Sequence, residues 1–164
     1  FLQLVYEYGV TGDENRAKAL HVLHKMDELV PDETIPVTYM DLYLQIAQMY
    51  YQLEDDSSAY LYMENAFKNG REDTPLMERV KVASIWNDLF DETGKALNIL
   101  LPLSMEAPMN AQVIYEIARA YVKDGNVIDG EDWVSRLALL APMARETRSL
   151  QDMINKLKAD STKS

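Results

Sequence analysis

The chain has 164 residues, no cysteine, a formal net charge of −11 and a pI near 4.6. That length suffices for one sizeable core, and the acidity argues against an electrostatic nucleic-acid footprint or a polybasic membrane patch. Without cysteine there are no disulfides, no thiol nucleophile and no thiolate metal site, and no apolar run approaches the roughly 20 residues of a membrane helix.

The chain opens on Phe1 inside an amphipathic pattern, "FLQLVYEY", which reads as a first helix and as part of something longer. After the turn "TGDEN" comes a second helix carrying both histidines of the chain, in "HVLHKMDE". Taken from Ala19, its core positions are Leu20, Leu23, Met26 or Asp27, and Val30. His21 and His24 then fall beside Lys18, Lys25 and Glu28 on the polar face. Two histidines at i, i+3 fall short of the three or four protein ligands of a stable zinc site, so no metal is expected.

Next, "YMDLYLQIAQMYYQL" places Leu42, Ile46, Met49, Tyr50 and Leu53 on one helical stripe. Asp56 or Ser57 is the expected cap of the following helix. Asn69–Gly70 fits its C-terminus. Thr74 before Pro75 predicts a capped helix with proline in its first position. "VIYEIARAYV" and "LQDMINKL" continue the helical period. The longest helices are expected to begin near Pro36, Pro75 and Pro108. Strict alternation is short everywhere, so the fold class is all-α.

The helices recur in pairs. A small residue is followed twelve positions later by proline three times: Ala19 and Pro31, Ala96 and Pro108, Gly130 and Pro142. The remaining copy has Ala59, with Arg71 in place of proline. Upstream helices carry Leu4 and Tyr8, Ala47 and Tyr50, and Ala118 and Tyr121. A small side chain lets two helix axes approach, an aromatic fills the next layer, and proline ends the second helix. The first copy has about two extra residues in "TGDENRA". The third is degenerate, with Ser84 and Asn87 where a small residue and an aromatic are expected. Gly130 costs its helix roughly 0.5–1 kcal/mol against alanine, so that helix is expected to start late or to pack unusually closely.

This pattern resembles the tetratricopeptide repeat. The resemblance implies antiparallel helix pairs stacked as a right-handed α-solenoid in one domain over residues 1–158. Its approximate repeats are 1–34, 37–71, 75–108 and 109–142, with a capping helix at 143–158 and a frayed tail at 159–164. A narrower resemblance covers about residues 1–68. The helix ending "KMDELVP", the acidic "PDETIP" connector and the following "YLQIAQMY" are similar to the C-terminal region of a bacterial membrane-protein family. This is domain-of-unknown-function family 2723, related in outline to protein O-mannosyltransferases. It implies a non-catalytic soluble domain on the periplasmic or extracytoplasmic side of the inner membrane, with any glycosyltransferase chemistry upstream. A cytoplasmic free adaptor is the alternative.

No Gly-rich phosphate loop, G-x-S-x-G or dinucleotide fingerprint occurs, so neither catalysis nor a cofactor is expected in this chain. "DGNVIDGED" lacks the ligand spacing of an EF-hand. Eight of the ten tyrosines lie within residues 1–62; Tyr8, Tyr43 and Tyr50 fit a core. By the spacing of the resembled repeat, the first helix of each pair turns Tyr6, Asp41, Leu44, Gln48, Tyr51, Lys81, Ile85, Tyr115 and Arg119 toward a groove. Tyr and Arg are frequent binding anchors. The expected partner is a protein or peptide segment, or the chain's own upstream membrane domain, with no nucleic acid and no membrane insertion of this chain. The oligomeric state is left open.

Overall fold

A computed structural model describes residues 1–8, 12–31, 40–68 and 74–161. Among these residues the chain is all-α. Its helices are α1 (Leu2–Tyr8), α2 (Asp13–Leu29), α3 (Met40–Gln52), α4 (Asp56–Lys68), α5 (Leu76–Asp88), α6 (Thr93–Glu106), α7 (Ala111–Lys123), α8 (Val127–Leu140) and α9 (Arg145–Ser161), with no strand. They form two compact units, Phe1–Thr74 and Pro75–Ser164. In the first, α1 packs on α2 and α3 on α4. In the second, α5 packs on α6, α6 also meets α7, α7 packs on α8, and α9 lies against α7 and α8.

The pairs are built around their small residues. Ala19, Ala59 and Ala96 are fully buried, as are Ala47 and Ala118 in the first helices of their pairs. Gly130 is buried too, and α8 begins three residues before it, so the helix does not start late. A Cβ at Gly130 would lie 3.0 Å from Ile154 Cδ1 and 3.4 Å from Val122 Cγ2. Close packing against α7 and α9 therefore explains the glycine. Each second helix of a proline-bearing copy ends two residues before its proline: α2 at Leu29, α6 at Glu106 and α8 at Leu140. Proline can donate no helical hydrogen bond and pushes the residue before it out of the α region.

Each pair turn contains a residue of positive φ: Gly12 (86°), Glu54 (63°), Asp91 (57°) and Gly125 (73°). Ala59, Ala96 and Gly130 follow the last three at five residues, and Ala19 follows Gly12 at seven. The difference matches the two extra residues of "TGDENRA". After α3, the Glu54 amide donates to the Tyr51 carbonyl and the Asp55 amide to the Tyr50 carbonyl. After α7, Gly125 donates to Val122 and Asn126 to Tyr121 in the same pattern. This closes two helix ends with Schellman geometry.

The third turn is one residue longer, since the Glu92 amide reaches back to Trp86. That insertion corrects the reading of the third copy. Its small–aromatic pair is Ala83 and Trp86, both buried, one position ahead of Ser84 and Asn87. Asn87 is itself buried and accepts a hydrogen bond from Thr93 Oγ1 at 3.1 Å.

Several local expectations change. The cap of α4 is Asp55, whose carboxylate accepts from Ser58 N at 3.2 Å and Ser58 Oγ at 2.9 Å, rather than Asp56 or Ser57. Pro75 flanks α5 instead of opening it, and no side chain caps that end. The longest described helices are α2 and α9, of 17 residues each, so the Pro75 and Pro108 expectation fails. Pro36 and Asn69–Gly70 lie outside the described residues. The terminal helix starts at Arg145 and runs to Ser161, past the expected end at 158. Tyr43 and Tyr50 are core, but Tyr8 is exposed, and so is Val30 at the end of α2.

Candidate functional site

In the first unit, polar side chains converge on α2. Asp27 sits at a half-buried position where α2 faces α3 and α4. Its carboxylate accepts from Tyr50 Oη at 2.6 Å and from Tyr62 Oη at 2.5 Å. Burial, followed by the Asp27 hydrogen bond and charge, pushes the Tyr50 phenol far above its ordinary pKa, so it remains a donor. Tyr50 stacks on His24, with ring centroids 5.7 Å apart, and lies 5.6 Å from Tyr62. His24 Nε2 lies 3.0 Å from Asp55 Oδ2. Burial opposes the Asp55 carboxylate, but hydrogen bonds from His24 and Ser58 outweigh it and hold its pKa below the ordinary value. His24 therefore does more than face solvent: it clips α2 to the α3–α4 turn. Arg16 does the same through Glu54 at 2.6 Å. His21 is exposed. Among the described residues no three metal-capable side chains converge.

The expected groove residues of this unit separate. Tyr6 on α1 is strongly exposed, and Asp41 is exposed on α3, where it accepts from Gln45. Gln48 and Tyr51 are half-buried. Leu44 is only 1% exposed, so it is core and not a groove contact.

In the second unit, Lys81 is exposed on α5, whereas Ile85 is 7% exposed and belongs to the core. Tyr115 and Arg119 on α7 share one face, with the guanidinium carbon 5.9 Å from the Tyr115 ring centroid. Arg119 Nε donates to Glu116 Oε2 at 2.9 Å, and its Nη1 donates to Asp88 Oδ1. Burial lowers the Arg119 pKa, but these two carboxylates more than compensate and raise it. Glu116, itself buried, also accepts from Gln112 at 2.8 Å. Arg119 is thus first a tie between α5 and α7. Lys123, one turn on, donates to the Asn87 carbonyl and pairs with Asp91 at 2.8 Å.

Beside these cations lies a groove of ≈ 510 Å³ between α7 and α9. Val122, Leu150, Met153 and Leu157 form its apolar part. Arg119, Lys123 and Lys156 rim it, against one acid, Asp160. Arg119, expected on a groove made by the first helices of the pairs, lines this different groove, whose other wall is the terminal helix α9. The i, i+3, i+7 spacing of Leu150, Met153 and Leu157 was the available signal. Its apolar wall is mostly core, with Leu150 3% exposed and Met153 50% exposed, and two of its cations are already paired, Arg119 with Asp88 and Glu116 and Lys123 with Asp91. No described helix is long and apolar enough to cross a membrane. No protein-family model and no curated protein matches the chain.

Proposed function

We propose that this chain is a non-catalytic, tetratricopeptide-like interaction scaffold whose helix pairs stack as a right-handed α-solenoid. We place it as the C-terminal soluble domain of a larger bacterial membrane protein, on the extracytoplasmic side. Its partner is a protein or peptide segment, or the membrane domain that precedes it.

One observation carries the reading: a buried small residue follows a positive-φ turn at a fixed offset in three successive helix pairs, at Ala59, Ala96 and Gly130. A unit that repeats its helix crossing presents equivalent faces repeatedly, which is how repeat arrays build extended binding surfaces. The partner-facing residues are Tyr51 in the first unit and Tyr115 in the second, with Arg119 holding the second surface in place. The test is a binding titration against the membrane region supplied in trans, or against a partner identified by cross-linking. Tyr51→Ala and Tyr115→Ala, each with unchanged melting, should weaken binding by at least about threefold, or roughly 0.65 kcal/mol and above. If neither does, these faces are not the binding surface.

A further inference from the structure

The first helix pair buries little apolar surface. α1 and α2 run to 7 and 17 residues, yet only Val5, Ala19 and Leu23 in them are buried. The 13-residue α3 alone buries six residues. Phe1, Leu4, Tyr6 and Leu29 stay exposed, and no side chain caps the N-terminus of α2. What α2 offers to α3, α4 and the turn between them is a polar face. Arg16, His24 and Asp27 follow one another on it at intervals of eight and three. Arg16 meets Glu54, His24 meets Asp55, and Asp27 takes the hydroxyls of Tyr50 and Tyr62. The Glu54 side chain is 71% exposed, so the outermost tie contributes little. Half-buried Asp27 is the main fastening.

We propose that α1 and α2 form a strap that opens as one unit from α3 and α4 while those two helices stay folded, baring Tyr50 and Tyr62. A segment with few buried apolar side chains and water-reachable ties lies at the low end of local stability. The chemistry of the ties also favours opening at this seam. With the strap closed, Tyr50 is 0% exposed and its Oη donates to Asp27. With the strap open, the tyrosine hydroxyls, Asp27 and His24 all meet water, so no polar group is left buried and unpaired. An apolar seam has no such substitute partner. What holds α3 to α4 does not depend on α2: the two helices pack on each other, the turn after α3 closes with its own backbone bonds, and Asp55 caps α4 through Ser58. The position of the strap then decides whether a tyrosine face is open to a partner. The inference goes beyond the scaffold reading and needs no partner; its failure would leave that reading standing.

Native-state hydrogen exchange of the 164-residue chain, resolved by nuclear magnetic resonance at neutral pH, tests this on the wild type. The amides of Ala19 and Leu23 should share one opening equilibrium. After correction for intrinsic rates they should exchange at least about tenfold faster than those of Ala47 and Met49 in α3. Asp27→Ala should speed exchange in α2 by about a further tenfold and leave α3 and α4 nearly unchanged. Asp27→Asn keeps an acceptor oxygen and should do less. Thiol labelling gives a second reading, because the chain has no cysteine. Leu23 in α2 and Met63 in α4 are both 0% exposed. The thiol of Leu23→Cys should react at least about tenfold faster than that of Met63→Cys. Equal protection of α2 and α3 in the wild type overturns the proposal, since the first unit then opens only as a whole. So do equal labelling rates for the two thiols. So does an Asp27→Ala chain in which α3 and α4 exchange faster by the same factor as α2, the mark of a merely structural carboxylate.

Discussion

Asp55 serves two elements at once: it caps α4 and holds His24 of α2. Asp55→Ala removes both roles and should cost about 1–2 kcal/mol, read as the urea midpoint. Asp55→Asn keeps the capping oxygen and should cost less. The folded-state pKa of Asp55 is depressed. Its stabilisation is therefore complete above the ordinary carboxylate value near 3.9 and is lost as pH falls through the lower folded value. The acid limb of the stability profile should become shallower in Asp55→Asn; an unchanged profile would mean the pair with His24 contributes nothing. His21→Ala should be neutral, and His24→Ala should cost under about 1 kcal/mol, since the ring is half exposed. Arg119→Ala leaves the buried Glu116 carboxylate with only Gln112, and should destabilise by roughly 1–3 kcal/mol. Adding Glu116→Gln should recover part of that loss in a double-mutant cycle. Reading Arg119 as a binding anchor alone missed this, because both of its carboxylates come into reach only through helix packing.

At the level of the helix pair, the crossing residue and the turn residue carry the specification. Ala59 is fully buried, so Ala59→Leu should overpack the α3–α4 pair and cost about 1–3 kcal/mol, seen as a lowered melting temperature. At Gly130 two effects oppose each other. Alanine gains helix propensity, yet its Cβ meets Ile154 Cδ1 at 3.0 Å. Gly130→Ala should shift the melting temperature little, whereas Gly130→Leu should lower it as Ala59→Leu does. Gly125→Ala places a Cβ at φ 73° and should cost about 1 kcal/mol, measurable by the same melts. The pairing, the small residues and the extra residues of the first turn were all legible from spacing. The third pair was misread because one residue inserted after α5 moves Ala83 and Trp86 off the count. A fixed interval cannot detect an insertion that the turn absorbs. The cap of α4 moved for a related reason: acids and hydroxyls run together from Asp55 to Ser58, and only backbone geometry selects one, whereas α5 has no side-chain cap at all.

The chain as a whole divides into two compact units, and both tryptophans, Trp86 and Trp133, belong to the second. Tryptophan fluorescence therefore follows the second unit while far-ultraviolet circular dichroism follows both. In urea the two probes should give distinct transitions; coincident curves would mean that the units unfold as one. By itself the sequence determined that the chain is all-α and that small residues sit where paired helices cross, because a 3.6-residue period and a close approach each leave a mark in residue type. It also determined the acid-rich first half. Helix packing alone makes Leu44 and Ile85 core, leaves Tyr115 half-buried against the second unit's core, gathers two tyrosine hydroxyls on Asp27, and makes α9 one wall of a groove. Helical periodicity fixes which residues share a face, but a face becomes core or surface only when a neighbouring element covers it. That covering depends on contacts between residues far apart in the chain, on which a local pattern is silent.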